Sequence, residues 1–229
     1  MWSNPLKSVI YFKWRGLEMN QSFYSLERDK QNRIINAALK EFAEYGYDKA
    51  STNHIVKNAE IGKGMLFYYF KNKEELYHYL INYCLEVLVN EFLARIDTNE
   101  PDFIERLKQT AQIKTEFLLN YPNILYFLGS LFLKDQIPEK FENRYEEIMR
   151  MRNSKFYDNI DISLFRNDVD TKKAFKLIRW SIEGYQNELI NQFKNQNLTT
   201  LDLDSYWDEF YEYLDVLKTT FYKNEEGKK

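Results

Sequence analysis

Cysteine, histidine, proline and glycine are all scarce in this sequence, and each shortage excludes a class of protein. The 229 residues include one Cys, two His, four Pro and seven Gly. The single cysteine, Cys84, excludes an internal disulfide framework and is typical of a reducing compartment. His54 and His78 lack HExxH spacing and no Cys-x-x-Cys pair occurs, so neither a metal nor another cofactor is expected. Because glycine-rich phosphate loops and Gly-x-Ser-x-Gly elbows are also missing, we do not expect an enzyme.

Long apolar runs are missing as well. No uninterrupted run reaches the roughly 18–20 residues of a membrane span. The apolar patch from Val9 to Phe12 is shorter than a secretory core segment, and no small-residue cleavage site follows it. We therefore expect a cytoplasmic protein with no membrane partner. Residues 1–24 lack a helical stripe and are expected to be a disordered or non-native extension, with Met1 and Met19 both open as translation starts.

Helical periodicity dominates what is present. The sequence is 44% hydrophobic and 17% aromatic, which is enough for a substantial core. Few Gly and Pro, with few runs of Val and Thr, favour long helices over a sheet and predict an all-α protein. After a break at Pro101, the predicted helical stretches are residues 103–120, 123–133, 139–160, 169–194 and 203–223.

The stretch 51–73 predicts two short helices joined by a tight turn and followed by a longer helix. Ile55 opens an apolar stripe just after Ser51, whose hydroxyl can cap the first turn. Leu66 and Phe70, four residues apart, give the second helix an inward face. A helix pair with so short a turn is the helix-turn-helix, whose second helix lies in the major groove of DNA.

The run from Ile34 to Leu76 resembles the DNA-binding domain of the TetR family of bacterial transcriptional repressors. The shared features are the first-helix pattern IINAALKEFAEYGYDKAS, the helix-turn-helix and the block GKGMLFYYFKNKEEL. The resemblance implies an N-terminal three-helix domain joined by a long helix to a larger helical ligand-binding and dimerisation domain. We therefore predict an extension at 1–24, a helix-turn-helix DNA-binding domain at 25–72, and a ligand-binding and dimerisation domain at 73–229.

Two kinds of DNA contact are expected from such a domain: phosphate contacts that fix the register, and base contacts that specify sequence. The family pattern implies phosphate contacts from Ser51, Tyr69 and Lys73. The last of these stands beside a helix N-terminus that already favours an anion. The exposed positions predicted to reach base edges are Asn53, Lys63, Met65 and Tyr68. Gly64 keeps the start of the recognition helix bare, so that the backbone can approach DNA.

Three residues in this stretch depart from the family pattern. Glu60 occupies a turn position that the family usually gives to Gly, which predicts a strained or reshaped turn. Gly62 replaces the usual Ser or Thr cap, and Phe67 replaces a common Tyr.

The charge has the expected asymmetry: the chain is −3 overall, yet up to His78 twelve Lys and Arg stand against nine Asp and Glu.

The resemblance also implies that the larger domain binds a small molecule and dimerises through its last two long helices. Aromatic residues at helical spacing predict either a packed core or the lining of a cavity for a largely apolar effector. The predicted lining residues are Phe117, Tyr121, Tyr126, Phe127, Phe156 and Trp180. The predicted dimer-interface residues are Gly184, Trp207, Phe210 and Leu214, with packing inside their own monomer as the alternative. Gly184 in mid-helix costs about 1 kcal/mol relative to Ala, which a closely approaching partner helix would offset.

Together these features predict a homodimeric, ligand-responsive regulator of transcription. Its expected partners are a pseudo-palindromic operator in double-stranded DNA and a small apolar effector that releases the protein from it. Repression is the expected sign of regulation. The alternative is a helical protein-interaction module without effector-controlled DNA binding.

Overall fold

The computed structural model describes residues 21–133, 137–193 and 204–223. Over these residues the chain forms ten α-helices and no β-sheet, which confirms the all-α prediction. In chain order they are α1 (Gln21–Tyr24), α2 (Arg28–Lys49), α3 (Thr52–Asn58), α4 (Lys63–Tyr69), α5 (Lys73–Val87), α6 (Phe103–Asn120), α7 (Pro122–Leu133), α8 (Glu139–Tyr157), α9 (Thr171–Phe193) and α10 (Asp204–Phe221). α5 runs on through a π-helical turn at Leu88–Phe92 and a 3-10 turn at Leu93–Arg95. None of the described helices is both long enough and apolar enough to span a bilayer.

Packing divides the chain into two compact units. The first comprises residues up to Arg95 together with Asn120–Met151, and the second comprises Ile96–Leu119 with the residues from Arg152 onward. The first unit therefore holds the predicted helix-turn-helix, α7 and most of α8. These packing units do not follow the boundary predicted between residues 72 and 73. The functional division into a DNA-binding and a ligand-binding domain stays a prediction.

The core of the first unit is built on the apolar stripe of α2. Ile34, Ala38 and Phe42 are buried, as the spacing of apolar residues along this helix predicts. The stripe ends at Gly46, whose φ of 72° interrupts the helical backbone before residues 47–49. A left-handed conformation of this kind favours glycine because it has no Cβ. Burial raises the pKa of the Cys84 thiol well above its usual value, as befits an unreactive thiol.

A short helix ahead of the predicted DNA-binding domain adds an aromatic side chain to this core. Residues 21–24 of the predicted extension form α1, and Phe23 is completely buried. The Phe23 ring centroid lies 5.7 Å from that of Tyr69, 4.9 Å from Phe70 and 5.5 Å from Tyr79. The extension therefore ends in an ordered turn that supports α4 and α5. Residues 1–20, including both candidate start methionines, lie outside the described residues.

The second unit has its own apolar core and also buries the arginine Arg106. Phe103, Ile178 and Phe210 contribute to the core from α6, α9 and α10. Arg106 is 1% exposed, and its guanidinium donates only to backbone carbonyls, which belong to Thr98, Glu100, Lys155 and Asp158. Two of these carbonyls lie at the C-terminal end of α8, where a cation is favoured by the helix dipole. Arg106 thereby ties the end of α8 to the segment that precedes α6.

Candidate nucleic-acid interface

The start of α3 is held by one hydroxyl and one buried carboxylate. Ser51 has extended backbone angles, and its Oγ accepts from the backbone N–H of His54 at 3.4 Å, as predicted for a cap. Glu41 of α2 is only 5% exposed and accepts from the backbone N–H of Ser51 at 2.8 Å. Its carboxylate also lies 3.4 Å from Nδ1 of His54. The first turn of α3 is thus fixed to α2 through a charge-assisted hydrogen bond.

Sequence reasoning missed Glu41, although the sequence contains a signal for it. Glu41 stands three residues after Ala38 and seven after Ile34, which places it on the buried stripe of α2. A buried carboxylate requires hydrogen-bond donors, because its desolvation is otherwise costly. The unpaired N–H groups at the start of a neighbouring helix are suitable donors.

The turn between α3 and α4 keeps the geometry usually given to glycine although Glu60 occupies it. Glu60 has φ of 55°, in the left-handed region. Its backbone N–H donates to the carbonyl of Lys57 at 3.3 Å, and the N–H of Ile61 donates to the carbonyl of Val56 at 3.0 Å. These two bonds form a Schellman motif, which ends a helix sharply. The turn is therefore strained rather than reshaped.

The recognition helix α4 begins at Gly62 and divides into an inward and an outward face. Leu66 and the following Phe70 are buried, which confirms the predicted inward face. Lys63 and Gly64 are exposed, and a Cβ built at Gly62 or Gly64 would meet nothing within 4 Å. In the part of the chain that the structure describes, the Lys63 ammonium has no ion-pair partner. The start of α4 thus presents an unneutralised cation on open backbone.

The other predicted contact residues differ in how far they reach solvent. Asn53 is exposed on α3, and Met65 is half-buried on α4. Tyr68 is 62% exposed, and its hydroxyl lies 3.1 Å from Oγ of Ser22. Tyr69 is only 8% exposed and packs edge-on against Phe23, so most of its ring belongs to the core.

The start of α5 is held by two side-chain hydrogen bonds to the backbone. Oδ1 of Asn72 accepts from the backbone N–H of Glu75 at 2.8 Å, and the Glu75 carboxylate accepts from the backbone N–H of Lys71 at 3.0 Å. Lys73 is half-buried: its ammonium donates to the carbonyl of Asp48 at 3.1 Å and lies 5.0 Å from the centre of the Tyr47 ring. Any phosphate contact by Lys73 would use the donors that remain.

The six aromatic residues predicted to line an effector cavity are divided between the two units. Tyr121, Tyr126 and Phe127 lie in the first unit; Phe117, Phe156 and Trp180 lie in the second. Phe117 and Phe127 are fully buried, and Tyr121 and Phe156 are half-buried. Tyr126 and Trp180 are each 56% exposed and therefore lie on the surface.

The last two helices leave an apolar face exposed. Phe210 and Leu214, predicted for the dimer interface, are instead buried in the core of their own unit, and Trp207 packs against that core. Gly184 is exposed, and Trp180 and Val216 also point to solvent. A groove of about 350 Å³ opens between α9 and α10, lined in part by Ile182, Tyr185, Phe210, Tyr213, Val216 and Leu217.

The geometry of α3 and α4 defines a helix-turn-helix protein, in which a capped first helix and a sharp turn support a second helix with an open outward face. Residues 34–80 match the family described as bacterial regulatory proteins, tetR family. Over 187 residues the chain is 24% identical to the negative transcriptional regulator IcaR of the biofilm operon icaADBC of Staphylococcus aureus. That alignment covers 76% of this chain and 97% of IcaR. Residues 34–80 thus match the DNA-binding domain of the tetR family, and the alignment with IcaR extends the similarity over most of the chain.

Solved structures agree on the fold along nearly the whole chain. A TetR family transcriptional regulator from Chloroflexus aurantiacus superposes with a TM-score of 0.64 at 20% identity, covering 90% of this chain and 99% of that one. The ketosteroid transcriptional regulator KstR2 of Mycobacterium tuberculosis superposes with a TM-score of 0.58 at 18% identity, covering 87% and 98%. The helices that follow the helix-turn-helix are therefore arranged as in this fold.

Proposed function

We propose that this protein is a dimeric repressor that binds a pseudo-palindromic DNA operator and is released from it by a small molecule. The observation that carries the DNA-binding part is the start of α4, where Lys63 is exposed, without an ion-pair partner in the described chain, beside two glycines that leave the backbone open. A helix end of this kind can enter a major groove. Repression is supported by the similarity to IcaR, which is named as a negative regulator.

The proposed contacts are of two kinds: phosphate contacts that position the protein on DNA and base contacts that specify the sequence. Phosphate contacts are assigned to Ser51 and Lys73, with a smaller one from the exposed edge of Tyr69. Lys63 can donate to guanine O6 or N7, and Met65 can pack on a thymine methyl group. The remaining proposed base contacts are those of Asn53 and Tyr68.

Binding measured against salt tests this division. The probe is the DNA upstream of the protein's own gene, and the comparison is a scrambled duplex of equal length. Lys63→Ala should reduce the preference for the cognate duplex about tenfold, since a good base contact contributes about 1–3 kcal/mol of discrimination. Lys73→Ala should weaken both duplexes alike and lower the salt slope by about one. Lys172→Ala, which removes an exposed charge from the first turn of α9, is the matched control and should change neither quantity.

Equal losses on both duplexes with Lys63→Ala would contradict its base-reading role. If the wild-type protein shows no preference at all for its own upstream DNA, the alternative function, a helical protein-interaction module, becomes the better reading. A gel shift at two salt concentrations distinguishes these outcomes, because non-specific binding depends steeply on salt.

The dimer is proposed to form through the exposed face of α9 and α10. Trp180, Tyr213 and Val216 are 56%, 49% and 61% exposed, and large apolar side chains grouped in this way mark an interaction surface. Gly184 lies on the same helix, and a Cβ there would meet nothing within 4 Å. Contacts within the subunit therefore do not require glycine at position 184, whereas a closely packed helix of a partner subunit would require it.

Gly184→Leu tests this interface. In a single subunit the substitution should stabilise α9 by about 0.5–1 kcal/mol, because leucine is the better helix former and has room. Across a close helix contact it should prevent dimerisation. Light scattering after size exclusion should show a monomer with undiminished helical circular dichroism, while the control Lys172→Leu remains dimeric. A dimer that tolerates leucine at position 184 would place the interface elsewhere.

A further inference from the structure

Three cations from three helices of the second unit surround a single carboxylate. The guanidinium of Arg179 on α9 lies 3.4 Å from Oε1 of Glu183, and that of Arg152 on α8 lies 3.8 Å from the same oxygen. The ammonium of Lys114 on α6 is close enough that Glu183 and Arg152 both act on its pKa. Three positive charges thus stand against one negative charge, and we call these four residues the cationic cluster.

The cationic cluster has more donors than acceptors. The ammonium of Lys114 donates to Oε1 of Gln186 at 2.5 Å, which is a neutral acceptor. Burial lowers the pKa of Lys114; Glu183 opposes this effect and Arg152 adds to it. Within the described part of the chain, the buried Nε of Arg179 has no hydrogen-bond partner. Because a buried donor without an acceptor is costly, the cluster would be stabilised by one more anionic acceptor.

Aromatic side chains accompany the cationic cluster. The guanidinium carbon of Arg152 lies 5.8 Å from the centre of the half-buried Phe156 ring, four residues further along the chain. Phe117 follows Lys114 by three residues on α6 and is fully buried. Residues three or four apart share one helix face, so each aromatic side chain accompanies a cation on its own helix. Both aromatic residues belong to the set predicted from sequence to line an effector cavity.

We propose that the cationic cluster binds the negatively charged head of an amphipathic organic anion, such as a medium-chain or aryl-substituted carboxylate, whose apolar body lies along Phe117 and Phe156. The carboxylate of this molecule would accept from Lys114 and Arg179, and Arg152 would complete its neutralisation. Before binding, Glu183 would partly neutralise the two guanidinium groups. This inference rests on the proposed function, since it identifies the effector as an amphipathic anion instead of the largely apolar molecule expected from sequence.

Matched pairs of acids and alcohols test the charge of the ligand. The full-length protein is titrated calorimetrically with octanoate against octanol, and with phenylbutyrate against phenylbutanol. Each pair shares its apolar body and differs in the charged head. The wild-type protein should bind each acid at least tenfold more tightly than its alcohol, a difference of about 1.4 kcal/mol. Equal affinities within both pairs, or binding of the alcohols alone, would overturn the proposal.

Two substitutions with opposite expected effects test the residues. Lys114→Met keeps the length and apolar stem of the side chain, so it should weaken binding of octanoate at least tenfold and leave octanol unchanged. Glu183→Gln removes the competing carboxylate, so it should tighten binding of octanoate several-fold. A gain of affinity cannot result from misfolding, which keeps the test valid if Lys114→Met proves unstable. Lys172→Met is the control. Octanoate affinity unchanged in both cluster variants would refute the assignment.

Measurements of operator affinity show whether this inference or the proposed function is wrong. Without ligand, both cluster variants should bind the upstream duplex as the wild type does, because neither residue lies in the first unit. Octanoate should then lower the operator affinity of the wild type and have a weaker effect on Lys114→Met. Octanoate binding without loss of operator affinity would overturn the effector role. A ligand-free protein with no operator preference would instead overturn the proposed function, and the acid–alcohol difference would still decide whether the anion site exists.

Discussion

Phe23 should contribute more to the stability of the first unit than the other described residues that precede the predicted domain start at residue 25. Its ring is completely buried and contacts Tyr69 and Phe70 at the end of the recognition helix, and Tyr79 on α5. Phe23→Ala would remove the ring from an aromatic cluster whose other members are fixed on two helices. The cavity could close only if those helices moved.

The expected loss follows from complete burial. Replacing a fully buried phenylalanine by alanine costs about 3–5 kcal/mol, which combines lost transfer free energy with the cavity that remains. For a chain of this length, 1 kcal/mol shifts the melting temperature by about 2–4 °C, so a shift of roughly 10 °C is expected. Operator affinity should fall as well, since α4 loses the packing behind its C-terminal end.

Thermal unfolding followed by circular dichroism measures this effect, with gel shifts at a temperature where the variant is folded. Tyr126→Ala is the matched control, because it removes a 56% exposed aromatic ring from the same unit and should cost less than about 0.5 kcal/mol. Phe23→Ala and Tyr126→Ala melting at the same temperature would refute the reasoning, because it would mean that the Phe23 ring has no packing role.

Three further substitutions have effects of predictable sign. Glu60→Gly should raise the free energy of unfolding by about 1 kcal/mol in urea, because it removes a left-handed non-glycine residue; no gain would show that the turn stores no strain. Arg106→Lys should lower the free energy of unfolding by about 3–5 kcal/mol, because the three N–H donors of a lysine cannot replace the five of the buried guanidinium. The control Arg150→Lys, on the exposed side of α8, should be neutral. Burial acts to raise the pKa of Asp102, but hydrogen bonds, the largest from Tyr222, outweigh it and lower that pKa. The ionised carboxylate therefore stabilises the fold above pH 3.8, its ordinary pKa, and this stabilisation is lost as the pH falls through the lower folded value. Asp102→Asn should accordingly destabilise at pH 7 and progressively less as the pH falls below 3.8; a cost independent of pH would contradict the linkage.

The helix-turn-helix was predictable because its signals are local. Ser51 and Asn72 cap the helices that follow them through backbone N–H groups three residues away. The positive φ of Gly46 and Glu60 marks two helix ends, each formed within a few residues of chain. Each of these features depends on atoms that the chain itself keeps close, so residue type and spacing were sufficient to predict it.

The residues that hold these helices to the rest of the chain were not predictable in the same way. Phe23 meets Tyr69 and Tyr79 across some fifty residues, and Arg106 meets the carbonyl of Lys155 at a similar separation. Periodicity shows that a residue is apolar on one face, but it does not show which distant face it meets. A charged residue on an apolar stripe, as at Glu41, is the one sequence signal that points to such a contact, because its burial demands a partner.

The same limit applies to the residues predicted to line a pocket and to form the dimer interface. Aromatic residues at helical spacing pack against their own core or face a partner, and spacing does not separate the two. Phe210 and Leu214 fill the core of the second unit, whereas Trp180, expected in a cavity, stands on the exposed face of α9. The orientation of α9 and α10 about their own axes decides which stripe is buried, and that orientation results from packing with α6.

Both proposed ligands, the DNA operator and the organic anion, are expected to bind through local positive charge on the protein and not through its net charge. Beyond His78 the chain carries twenty Lys and Arg against twenty-six Asp and Glu, so an anion approaching this part meets net repulsion at long range. At physiological salt that repulsion is screened beyond about 8 Å, and the cationic cluster acts within that distance. If the bound anion weakens operator binding tenfold, linkage requires that the operator weaken anion binding tenfold as well. Octanoate affinity measured with and without saturating operator tests this equality, and two unequal factors would show that octanoate and DNA are not in equilibrium competition for two states of one dimer.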